Sequence, residues 1–147
     1  MTNVTLSASS EFSSSYKVDN LKSEGGKPWH SKRPVPWHEE QSITFTFGSD
    51  VLLAGFRSKA PDSIVPAHFK DFSFDYSTDG GSTWVTFYEG RGSNLDCCDW
   101  ETIIFGTEST PASHFRLSMK NDHGYGYTVI NQLELLHCNS SKSEMTV

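Results

Sequence analysis

Apolar and polar residues alternate in short runs along most of the chain. Phe72, Phe74 and Tyr76 alternate with Ser73, Asp75 and Ser77, and Trp84, Thr86 and Tyr88 alternate with Val85 and Phe87. A period of two predicts half-buried strands. Between the two runs lies a break, Thr78-Asp79-Gly80-Gly81-Ser82. Glycine reaches the positive φ of a tight turn without steric cost, so the stretch predicts a β-hairpin. Ile43, Phe45 and Phe47 alternate with Thr44 and Thr46 and stop at Gly48. Val51 to Arg57 reads as the next strand, Thr102 to Phe105 as a short one, and Phe115, Leu117 and Met119 as another. Val129 to His137 closes the series, and Asn3 to Ser7 reads as an opening edge strand. No segment reads as a convincing helix. About eight short strands separated by turn signals predict an all-β fold, an antiparallel β-sandwich of the jelly-roll type.

The pattern also places the connections. If successive strands run antiparallel, each connection switches ends of the sandwich. With the Asp-Gly-Gly turn at one end, the connections over 59–70, 89–100 and 120–127 fall at the other. Residues 48–50 and 106–112 share the end of the turn. The segment 21–40 holds Gly25, Gly26, Pro28, Pro34 and Pro36 and is therefore irregular, with one of its ends at the end opposite the turn. The long, chemically varied connections thus collect at one end, as in a scaffold that binds through its loops.

Composition sharpens this. The 147 residues suit one domain over 1–138 followed by a polar tail over 139–147. Ten Phe, five Tyr and four Trp supply a dense core. A formal charge of −6 argues against nucleic acid. A local basic patch, Lys27, His30, Lys32 and Arg33, still leaves room for an anionic ligand. There is no run of 18 apolar residues to span a bilayer and no signal-peptide pattern. Either a cytoplasmic protein or a mature extracellular domain lacking its leader is expected. Cys97, Cys98 and Cys138 are too few for a disulfide scaffold and lack zinc-site spacing. Glu39-Glu40 and the pair Asp96 and Asp99 are weak signals for acid–base catalysis, and His123 belongs to no triad motif, so an enzyme is not expected.

Six pieces, in order, resemble the coagulation factor 5/8 type C (discoidin) domain family. They are ASSEFSSSY, DNLKSEGGKPWHS with Asn20, Glu24, Gly25 and Trp29 in register, SITFTFG, FSFDYSTDGGSTW, HFRLSM and INQLELLHC. The resemblance implies a galactose-binding-like jelly roll and a non-catalytic module that binds glycans, anionic phospholipids or proteins through loops at one end. There are departures. No N-terminal Cys is present to bridge Cys138, and Thr46 replaces the family's Asp, which leaves Arg116 without an expected buried partner. Gln132 stands where calcium-binding relatives place a Glu, with Glu134 two residues on. Asp19, Asn20 and Glu24 are the remaining candidates for a structural calcium, the alternative being loop-capping side chains.

A sugar needs an aromatic platform for its apolar face and planar polar groups for its hydroxyls. Arg57, His68, Arg91, Trp100, Tyr125, Tyr127 and Trp37 are the candidates at the loop end. Trp29 reads as core. Arg57 reads equally as a ligand clamp or a surface salt bridge. Phe12, Ile64 and Val65 form a membrane-tip alternative over a collar of Lys59, Lys70 and Arg57. A protein receptor or a homo-oligomer is the third reading. Of these, the expected function is recognition of cell-surface carbohydrate or glycoconjugate in cell recognition or adhesion.

Overall fold

The computed structural model describes residues 4–22, 27–35, 39–60, 69–92, 99–106, 109–120 and 126–138. In chain order the strands are β1 (Val4–Ala8), β2 (Trp29–His30), β3 (Gln41–Lys59), β4 (Asp71–Ser77), β5 (Val85–Arg91), β6 (Trp100–Ile104), β7 (Ala112–Met119), β8 (Val129–Ile130) and β9 (Gln132–Cys138). Short 3₁₀ turns cover Ser14–Tyr16 and Val18–Lys22. Every strand pairing is antiparallel. One layer has the order β1-β3-β7-β4-β5, and in the other β6 and β9 flank β3. The result is the expected jelly-roll sandwich.

Two strand expectations are corrected. The runs before and after Gly48 do not form separate strands, because β3 passes through both layers. Residues 41–46 pair with β7, residues 52–59 pair with β9, and the register slips between Thr46 and Val51. The exposed residues 48–50 make the corner. The closing run is two strands. Val129 and Ile130 pair with β2, and only Gln132 onward pairs with β3.

The alternation decides which side chains meet between the layers. Phe56 of β3 packs with its ring 5.3 Å from Phe72 and 5.0 Å from Phe74 across the core. Ile43, Phe115, Leu117, Leu53 and Leu135 are fully or almost fully buried around them. A register slip after Phe74 puts Phe87 and Tyr88 both against this core, where strict alternation would have put one outside. Gly55 sits where β3 meets β6, and a Cβ there would strike the Ile103 carbonyl, so this close approach requires glycine.

The registers fix the two ends. Gln41, Met119, Phe72 and Gly90 lie side by side, as do Lys59, Trp100 and Gln132. Hydrogen bonds join these groups at one end. Ser9 Oγ donates to Gln41 Oε1 at 3.2 Å, Trp29 Nε1 donates to the Ser10 carbonyl at 3.1 Å, and the Asn131 amide donates to the Lys59 carbonyl. The hairpin turn, with Gly80 and Gly81 at φ 73° and 92°, lies at the opposite end. The residues that flank 61–68, 93–98 and 121–125 therefore collect opposite the turn.

Candidate functional site

At that loop end the segment before Trp29 and the strap after it are tied to the approach to β8. The Phe12 amide donates to the His30 carbonyl, Ser31 N–H to the Thr128 carbonyl, and Val35 N–H to the Gly126 carbonyl. Ser31 Oγ, fully buried, accepts from the Thr128 amide at 2.9 Å. These bonds bring four rings together. His30 stacks on Tyr127 with centroids 4.7 Å apart and planes 10° from parallel. Phe12 and Tyr16 stand 4.9 Å and 5.8 Å from His30. The Arg33 guanidinium lies 4.0 Å over the Tyr127 ring, and Lys27 lies 5.8 Å over Tyr16. Phe12 is 49% exposed, so part of the platform faces solvent.

Charge at this platform is positive. His30 itself is held below the usual histidine pKa, mainly because burial penalises its charged form. The Arg33 charge adds to the lowering, and a hydrogen bond from the ring to the Ser31 carbonyl opposes it. A neutral His30 that donates from Nδ1 to that carbonyl presents Nε2 as an acceptor. The arrangement offers flat apolar faces, one ring acceptor and cationic donors within a few ångströms. Such a set can take a ring-shaped ligand with hydroxyl or acidic substituents.

Two polar groupings lie on the sheets. On the outer face of the second layer Arg57 pairs with Glu134 and lies 4.3 Å over the Trp100 ring. On the outer face of the first, Arg116 Nε and Nη2 reach Asp75 Oδ2 at 3.0 and 2.8 Å. The other Asp75 oxygen accepts from Thr86 Oγ1 at 2.6 Å, and Trp84 lies under the guanidinium at 4.4 Å. Arg116 was expected to lack a buried partner because Thr46 replaces the family's Asp. The correction is that Asp75, its cross-strand neighbour on β4, fills that role from the other side.

The sequence profile of the F5/8 type C domain matches residues 5–133. The chain belongs to the F5/8 type C domain family. Solved structures agree on the fold. CpGH89CBM32-5 from Clostridium perfringens, in complex with GalNAc-β-1,3-galactose, superposes with a TM-score of 0.71 at 22% identity over 90% of this chain and 94% of that one. The family 32 carbohydrate-binding module of C. perfringens NanJ, in complex with galactose, gives 0.72 at 16% identity over 90% and 92%. A pectin-binding carbohydrate-binding module gives 0.68 at 18% identity over 95% of each chain. No curated protein sequence matches.

Within this F5/8 type C domain the expected site residues fall in several places. Tyr127 belongs to the aromatic platform. Arg57 and Trp100 come together with Glu134. Trp100 was expected in a connection, but it is the first residue of β6, drawn into the ladder opposite Lys59. Arg91 ends β5 and pairs with Asp71 at 3.1 Å. His68, Tyr125, Trp37, Ile64 and Val65 lie outside the described residues. Phe12 is exposed as the membrane-tip reading requires, but it stands in the ring cluster. For the calcium candidates, Asp19 pairs with Lys22 at 3.5 Å, and the Asn20 amide donates to the Ser15 and Pro28 carbonyls. Glu24 lies outside the described residues. Among the described residues no three His, Cys, Asp or Glu side chains converge as a metal site would require. Sequence reading missed His30, Tyr16 and Arg33 as members of one site. The basic patch over 27–33 was the available signal, but the ring partners come from residues 12–16 and 127.

Proposed function

We propose that this F5/8 type C domain is a non-catalytic carbohydrate-binding module that recognises cell-surface glycans in cell recognition or adhesion. The sugar lies at the loop end, its apolar face on the aromatic platform and any acidic substituent toward Arg33 and Lys27. The observation that carries this reading is the stacked His30–Tyr127 pair under Arg33, with exposed Phe12 beside it. The carbohydrates held by the structurally similar modules support the ligand class.

A glycan array with immobilised protein tests the reading. Retention of at least one glycan class is expected, and Tyr127→Ala lowers that retention tenfold or more in a protein that still unfolds cooperatively, its melting temperature lowered only by the loss of the His30 stack. A silent array would sink the carbohydrate reading. A second reading, anionic phospholipid, is favoured by Phe12 projecting beside cations. It predicts sedimentation with phosphatidylserine vesicles that Phe12→Ser abolishes.

A further inference from the structure

We propose that the outer face of the five-stranded layer is a second ligand site, one that takes an oligomer of an amino sugar. Two abutting hollows of about 270 Å³ and 470 Å³ lie on this face and share Glu40, Ser73, Glu89 and Ser118 as lining. Their floor follows from the registers. Ser42 stands opposite Ser118, Ser118 opposite Ser73, and Ser73 opposite Glu89. One row across β3, β7, β4 and β5 is therefore three short hydroxyl side chains ending in a carboxylate. The neighbouring row is Thr44, Arg116, Asp75 and Thr86, and its longer side chains form one wall. Glu40, Lys120 and Asp71 form the other wall. Four strands at about 4.8 Å spacing make a trough roughly 14 Å long, which suits an extended ligand better than a single ring.

Ser118 points into this trough, because its neighbours Leu117 and Met119 point into the core. It is only 8% exposed, and its hydroxyl makes no hydrogen bond among the described residues. The hydroxyl still reaches the open hollow, so a ligand hydroxyl at the floor would take the place of water there. Charge selects the ligand further. Asp75 is committed to Arg116, and Asp71 is paired with Arg91. Glu40 meets Lys120 only at 3.9 Å between two exposed side chains, a pair that a ligand cation can replace. Glu89 has no ion-pair partner among the described residues. Hydroxyls on the floor with carboxylates above them match a ligand bearing both hydroxyl and ammonium groups. The site is independent of the loop-end platform, which is cationic and aromatic.

The test uses the glucosamine hexamer and its fully N-acetylated form as probes, with affinity read by calorimetry on the whole chain. The free-amine hexamer is expected to bind at least tenfold more tightly than the acetylated one, and less tightly as salt rises. Glu89→Gln weakens it tenfold or more, as does Ser118→Leu, which fills the floor. Tyr127→Ala leaves it unchanged. If Ser118→Leu does not fold, Glu89→Gln decides, since residue 89 is exposed. The proposal is overturned by no binding at millimolar hexamer, by equal affinity for the two probes, by an unchanged Glu89→Gln, or by loss of binding in Tyr127→Ala.

Discussion

At the scale of single residues, His30 shows how packing sets chemistry. Its ring is pressed between Phe12 and Tyr127, and burial keeps it neutral at a pH where a free histidine would begin to charge. The consequence for stability has a definite sign. Above an ordinary histidine value of 6.5 the ring is neutral in both folded and unfolded chains. As the pH falls below that, the unfolded chain takes up a proton that the fold resists, so stability drops with falling pH. The drop ends once the pH passes the lowered folded value, because both states are then charged. His30→Gln removes this contribution. Urea midpoints measured from pH 7.5 down to 4.5 are expected to fall less steeply in the variant than in the parent, on top of a constant loss from the missing stack. Parallel curves would show that His30 does not titrate in this way. Asp75 gives a different residue-scale lesson. Its partner Arg116 was legible as a strand residue, but the pairing was not, because the alternation assigned Asp75 to the solvent face without saying what stood beside it.

At the scale of elements, the strands were legible where one face met the core and the other met water. The hairpin over β4 and β5 is the clearest case, since period-two alternation and two turn glycines agree with each other. The long β3 was not legible as one strand. Gly48, Ser49 and Asp50 have the composition of a turn, yet here they serve as a corner between layers, and local sequence does not distinguish the two. The platform was illegible for a related reason: its rings come from residues 12, 16, 30 and 127, and only the β2–β8 pairing and its flanking hydrogen bonds bring them together. One element depends on a single glycine. Gly55→Ala sets a Cβ against the Ile103 backbone, which no side-chain rotation relieves. It is expected to push β6 away from β3 and cost about 2–4 kcal/mol, within the range of strained core changes. Denaturant melts check the cost, and hydrogen exchange at the amides of 101–104 checks its location. A variant as stable as the parent would mean that β6 docks more loosely than its register implies.

At the scale of the whole molecule, the formal charge of −6 is unevenly spread. Lys27 and Arg33 lie at the loop-end rings, whereas on the sheet face the carboxylates Glu40, Asp71, Asp75 and Glu89 outnumber the cations Lys120 and Arg116. If both are ligand sites, they should act independently, and thermal stability gives a test that needs no knowledge of either bound geometry. A ligand at one hundred times its Kd stabilises the fold by about 2.7 kcal/mol. For a chain of this length, each kcal/mol moves the Tm by about 2–4 °C, so one saturated site is worth roughly 5–11 °C. A glycan retained on the array and the glucosamine hexamer, added together, are expected to raise the Tm by the sum of their separate shifts. Tyr127→Ala should delete the first increment alone and Glu89→Gln the second alone. A combined shift no larger than the greater single one would mean that the two ligands compete for one place on the domain.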